Sequence, residues 1–167
     1  LYDTDDALKL WYAQGTLHLL PTETSTFIRL AWQLRERDSR QAEDCLAIAT
    51  RESERSGKAL SPQEQWLCRL TQAELLRLQA RLAEASSVLA GLREQEAPSL
   101  VLAADLQGVR AGIATGAGSF AERDQCLRQA AAYAAQAGDG DRKTYYQAVL
   151  ARLQVLRGQD RKSTRLN

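Results

Sequence analysis

Leu70-Thr-Gln-Ala-Glu-Leu-Leu-Arg-Leu-Gln-Ala-Arg-Leu-Ala-Glu-Ala-Ser-Ser-Val-Leu-Ala-Gly-Leu92 is the stretch on which the fold turns. Trp66, Leu67, Leu70, Ala73 and Leu76 recur at helical spacing. After Gln79 and Ala80 the apolar series resumes through Leu82, Ala85, Val88, Leu89 and Leu92. Two helices joined by a very short turn satisfy both runs, because residues three and four apart share a helix face. Ser61-Pro62 marks the start of the first, with a capping hydroxyl followed by a proline where no amide hydrogen is needed.

The same grammar extends outward in both directions. Thr22-Glu-Thr-Ser-Thr26 supplies N-cap candidates for a helix carrying Phe27, Leu30, Ala31 and Leu34. Asp38 or Ser39 caps a second helix with Ala42, Cys45, Leu46 and Ala49 inside, and Gly57 closes it. On the other side a pair begins near Pro98 with Leu102, Leu106, Val109 and Ile113, breaks at Gly116 and Gly118, and returns through Phe120, Leu127, Ala131 and Ala134. Gly138-Asp-Gly-Asp141 stops that helix and caps a last one bearing Tyr145, Val149, Leu153 and Leu156. The expected hairpins are therefore about 23–57, 61–95 and 98–137, with a partial one at 141–157. Residues 1–22 read as a separate N-terminal helix or linker, with Asp3, Asp5 and Asp6 ahead of Leu8, Trp11 and Tyr12.

Composition agrees with an all-α chain. Leu, Ala, Gln, Arg and Glu dominate, whereas the two Phe, three Trp and three Pro leave little for a strand-rich sandwich. No window is apolar enough for a membrane span or a signal peptide. Cys45, Cys68 and Cys126 are odd in number and lie on apolar positions, which predicts buried thiols in a reducing, cytoplasmic setting. The chain begins at Leu1 and contains no methionine, so it is expected to be a fragment. Residues 160–167 resemble the in-frame translation of a sequencing adapter and are set aside. Without their three basic residues and one acidic residue the formal charge of +1 becomes −1, which argues against a nucleic-acid surface.

Ser39, Leu82 and Phe120 each stand just after a helix–helix turn, 43 and 38 residues apart. Repetition at that period predicts antiparallel helical hairpins stacked as an α-solenoid. Ala80-Arg-Leu-Ala-Glu-Ala85 resembles the tetratricopeptide repeat superfamily, which has a small residue in the turn and an alanine early in the second helix. Leu76, Ala85, Leu89 and Leu92 stand at its packing positions. More narrowly, Leu30-Ala-Trp-Gln-Leu-Arg35 with Asp38-Ser-Arg-Gln-Ala42, and Gly118-Ser-Phe-Ala-Glu-Arg-Asp124 with Ala137-Gly-Asp139, resemble helical regions that precede diguanylate cyclase catalytic domains in bacterial signalling proteins. No Gly-Gly-Asp/Glu-Glu-Phe signature occurs in the chain, so the resemblance implies a cyclase beyond its end and assigns no catalytic residue within it.

Nor does any other catalytic set emerge. His18 is the single histidine, and the cysteines lack ligand spacing, so no metal and no cofactor are expected. Gly116-Ala-Gly118 follows a helix rather than a strand, and so reads as a turn rather than a phosphate loop. Asp139-Gly-Asp141 lacks the downstream ligands of a calcium loop and reads as a helix stop and cap. The Arg51-Glu-Ser-Glu-Arg55 run reads as a solvated face.

The glycines at 108, 112 and 116 ask for more, since each costs about 1 kcal/mol relative to alanine inside a helix. Close helix–helix approach is one reading; room for a peptide or small ligand is the other. In a tetratricopeptide register Trp32, Arg35, Glu74 and Arg77 face the same groove as Gly108 and Gly112. The sequence thus predicts a 23–159 repeat domain serving as a non-catalytic sensor or protein-interaction scaffold, and the resemblance implies that it regulates an attached diguanylate cyclase. The alternative is the ligand- or partner-binding region of a transcriptional regulator. In either case the partner is a protein, a peptide or an attached domain, with no nucleic-acid contact by this segment.

Overall fold

The computed structural model describes residues 24–164, with side chains through residue 156. The expected helix within residues 1–22, with its Asp3, Leu8 and Trp11, and the reading of His18 lie outside the described residues, as do residues 165–167. Among the described residues there are seven α-helices and no strand. They are α1 (Thr24–Leu34), α2 (Ser39–Ser56), α3 (Pro62–Leu78), α4 (Leu82–Leu89), α5 (Leu100–Gly116), α6 (Phe120–Gln136) and α7 (Gly140–Thr164). A single 3-10 turn, Glu94–Glu96, precedes α5. The chain divides into two compact units that meet between Cys68 and Arg69, within α3.

Local chemistry sets the helix ends. The Asp38 carboxylate accepts from the Gln41 amide at 3.0 Å, and Gly57 closes α2 in the left-handed region at φ 65°. Ser61 and Glu64 form a reciprocal capping box: Glu64 Oε2 accepts from the Ser61 amide at 2.7 Å, while the Ser61 hydroxyl accepts from the Glu64 amide at 3.3 Å. Ser99 caps α5 through the Leu102 amide, and Asp139 caps α7 through the Arg142 amide.

Three later turns repeat one backbone design. The amides of Arg81, Ser119 and Asp139 reach back five residues to the carbonyls of Leu76, Ala114 and Ala134, at 2.9, 2.8 and 2.9 Å. Each bond spans one left-handed residue, namely Ala80 (φ 61°), Gly118 (φ 74°) or Gly138 (φ 74°). The next helix begins two residues later, at Leu82, Phe120 or Gly140.

In the first unit α1 packs on α2, with Phe27, Ile28, Leu30 and Ala31 buried on one side and Ala42, Cys45 and Ala49 on the other. In the second, α6 packs on both α5 and α7. The central element is α5, buried almost continuously from Leu102 to Gln107 and again at Val109, Ala111, Ile113 and Ala114. A helix covered on nearly all sides is a core helix.

Two local expectations need correction. α4 ends at Leu89 rather than continuing to Leu92, because Gly91 breaks it and Arg110 captures the Leu92 carbonyl at 2.8 Å. Phe120, expected inside, is 46% exposed: it occupies the first position of α6 and lies beneath the Arg123 guanidinium, 5.1 Å from the ring centre.

Candidate functional site

The six expected groove residues fall in both units. Trp32 and Arg35 belong to the first, at the end of α1 and just beyond it; Glu74, Arg77, Gly108 and Gly112 belong to the second. Each group is described within its own unit.

Trp32 and Arg35 sit three residues apart, so one turn of helix brings them together. The guanidinium lies 3.7 Å from the centre of the indole ring, donates to the Trp32 carbonyl, and approaches Glu36 at 3.5 Å. Both side chains remain partly exposed. A guanidinium stacked on an indole loses little entropy when a partner covers it, and Trp and Arg are the residue types that most often anchor interfaces.

Glu74 and Arg77 also lie three residues apart, on α3, and form a two-pronged pair. Arg77 Nε donates to Oε2 and Nη2 to Oε1, both at 2.8 Å. The carboxylate side chain is only 8% exposed, whereas that of Arg77 is 25% exposed. Glu74 is thus a buried clamp that fixes the guanidinium, for a parallel pair of charge-assisted bonds holds both position and plane.

Arg77 then accounts for Gly112. A methyl group at residue 112 would stand 2.8 Å from Arg77 Cδ and 2.9 Å from its Nε. Gly108 is filled in the same manner by Tyr146 of α7, whose hydroxyl would lie 2.6 Å from such a methyl and Cε1 2.9 Å. Gly116 receives Leu82 of α4, both Cδ atoms at 3.1 Å. One face of α5 thus accepts a side chain from each of three other helices, and this accounts for all three glycines by close approach. The space above Gly108 and Gly112 is occupied by side chains of the protein itself.

The same face carries groups that sequence reasoning missed. Asp105, 4% exposed, accepts from Arg142 Nη1 at 3.0 Å and from the Tyr146 hydroxyl at 3.3 Å. Asp139 holds Arg142 from the other side through Nε at 3.2 Å. Burial, followed by the Asp105 charge, pushes the Tyr146 phenol well above its ordinary value, so it stays protonated and donates. Gln107 and Thr71 are also buried, and the adjacent Arg123 and Asp124 form a further pair with their side chains 4% and 11% exposed. The only hint in the sequence was an acidic residue set between Ala104 and Leu106 in a helix whose one other charged residue is Arg110.

All three cysteines are unpaired thiols. Burial pushes Cys45 and Cys68 up to about 11 and raises Cys126 as well, so none is a ready nucleophile near neutral pH. Among the described residues no cluster of three His, Cys, Asp or Glu side chains is placed to hold a metal ion. In the first unit a shallow depression of about 110 Å³ is lined by Ser25, Ile28, Arg29, Ser61, Glu64 and Leu67, too small for most metabolites. No helix among the described residues is long and apolar enough to cross a membrane. Comparison with protein families, with curated proteins and with solved structures gave no match.

Proposed function

We propose that this chain is a non-catalytic sensor or interaction module, built as a tetratricopeptide-like solenoid of helical hairpins, from a cytoplasmic bacterial signalling protein. The observation that carries the reading is the turn used three times, at Leu76–Leu82, Ala114–Phe120 and Ala134–Gly140, with the same five-residue backbone bond and the same left-handed residue. Two of these turns join helices that pack on each other, α5 on α6 and α6 on α7; repeated turns of this kind are what a solenoid requires, and solenoids work by presenting a surface to a partner.

The partner is a protein or peptide segment, and two anchors support that choice. Trp32 with its stacked Arg35 offers an aromatic–cationic contact, and Arg77, clamped by Glu74, offers a fixed guanidinium with a quarter of its side chain open. The polar side chains of the second unit hold one another rather than converging on an open cavity, which favours binding over catalysis. The resemblance to regions preceding diguanylate cyclases makes an attached cyclase the regulated output.

Reading the genomic frame past Gln159 tests the output assignment. A Gly-Gly-Asp/Glu-Glu-Phe signature is expected; a helix-turn-helix there would instead identify a transcriptional regulator. Guanosine triphosphate turnover by the chain alone would refute the non-catalytic reading. Once a partner is in hand, the double variant Trp32→Ala/Arg77→Ala is expected to weaken it at least tenfold, and unchanged binding would refute the anchor placement.

A further inference from the structure

The last helix lies in a groove that the rest of the second unit would present without it. Ala104 and Ala111 of α5, with Cys126, Leu127, Ala130, Ala131 and Ala134 of α6, form one apolar cluster with Tyr146 of α7, against which Val149, Leu150 and Leu153 pack, and alanine predominates on the α5–α6 side. Small residues leave a trough between two helices deep enough to take a third. Two further features fix which helix fits it. Gly108 leaves a slot that the Tyr146 ring fills, with the hydroxyl where a methyl would otherwise stand. Asp105, buried at the edge of that slot, takes both the Tyr146 hydroxyl and the Arg142 guanidinium.

Complementarity therefore reads as a pattern: arginine, then tyrosine four residues on, then aliphatic side chains at Val149, Leu150 and Leu153. This is the ordinary signature of an amphipathic helix held in a groove. The backbone link from α6 to α7 is the left-handed turn at Gly138, and Gly140, two residues on, has open space where a side chain would begin.

We infer that the α5–α6 trough is an exchangeable helix-binding site, filled in cis by the chain's own α7 and able to take the α7 of a second copy in trans. That occupant is chosen because its residues are the ones the trough already fits, and every copy carries it. A helix tethered by a short turn competes at an effective concentration on the order of mM, so the cis form prevails until its own contacts are weakened. Weakening them converts the chain into an acceptor, by the logic of domain exchange.

The test uses the full chain and a fluorescein-labelled peptide of residues 139–156, followed by anisotropy. The chain carrying Arg142→Ala and Tyr146→Ala is expected to bind this peptide at least tenfold more tightly than the wild-type chain does. A peptide carrying Tyr146→Ala is expected to lose at least tenfold on the same acceptor. Equal binding by wild-type and variant chains, or indifference to the peptide's tyrosine, would overturn the inference. Should the double variant lose helix content by circular dichroism, Arg142→Ala alone, which leaves the ring in its slot, is the acceptor, with an expected gain of about threefold and the same overturning result.

Discussion

Replacing Gly108 by alanine sets a helix-propensity gain against a steric loss. The gain is about 0.8–1.0 kcal/mol for glycine to alanine in a helix interior. Opposing it, the new methyl would meet Tyr146 at 2.6 Å from the hydroxyl, 2.9 Å from Cε1 and 3.1 Å from Cζ. A phenol ring cannot bend away as an alkyl chain can, and its hydroxyl is bonded to Asp105. Overpacking of this kind costs about 1–3 kcal/mol. Losing a hydrogen bond to a buried charged group adds about 1.5–3 kcal/mol. The net expectation is destabilisation by about 2–4 kcal/mol, the two costs overlapping in part because one ring carries both. Gly116→Ala is the control on the same face. There the neighbours are the two Cδ atoms of Leu82 at 3.1 Å, the mobile end of a chain, so the variant is expected within about 0.5 kcal/mol of wild type or slightly more stable. Urea unfolding at 25 °C, followed by circular dichroism with matched m-values, gives both numbers. Tyr146→Leu should remove much of the Gly108→Ala penalty in a double-mutant cycle. If Gly108→Ala proves as stable as Gly116→Ala, the packing account of the glycine face is wrong.

Two further outcomes follow from the backbone and from the buried titratable groups. Ala80 holds φ 61° where Gly118 and Gly138 serve in the equivalent turns, so Ala80→Gly is expected to stabilise the chain by up to about 1 kcal/mol, read from the same urea midpoints; destabilisation would count against the shared turn. The Cys45, Cys68 and Cys126 thiols and the Tyr146 phenol are all raised, chiefly by burial, so the folded chain keeps protons that the unfolded chain releases. Their contribution to stability is complete below about pH 8, where unfolded thiols still hold their protons, and is lost progressively as the pH rises above it. Denaturation midpoints should fall between pH 8 and pH 10.5, and Cys45→Ala should make that fall shallower.

What the sequence made legible was punctuation. Ser61-Pro62, Gly57, Gly118 and Asp139 act on amides and carbonyls within five residues of themselves, so their chemistry can be read in place, and the helices do begin at Ser39, Leu82 and Phe120 as spacing predicts. The glycines at 108, 112 and 116 were legible as a face, but what filled it was not. Tyr146 and Arg142 reach Asp105 across 41 and 37 residues, distances over which periodicity carries no information. The tetratricopeptide register carries no information on the two-pronged pair that buries Glu74 beside Arg77, because that pairing depends on side-chain geometry. Phe120 misled because hydrophobicity alone predicts an inward side chain, whereas position at a helix start and a stacked guanidinium keep it at the surface. Within Leu70–Leu92 the sequence marks the turn between α3 and α4, yet the buried centre of the second unit is α5.

Hydrogen exchange resolved by residue tests that centre most directly, because protection follows how completely a segment is covered and how much must open to expose it. The slowest amides of the second unit should be those of Leu102–Ala114, and those of residues 146–153 should exchange at least tenfold faster, as the undocking of α7 alone exposes them. Equal protection across α5 and α7, or a maximum in α4, would contradict both the role given to α5 and the exchangeable last helix.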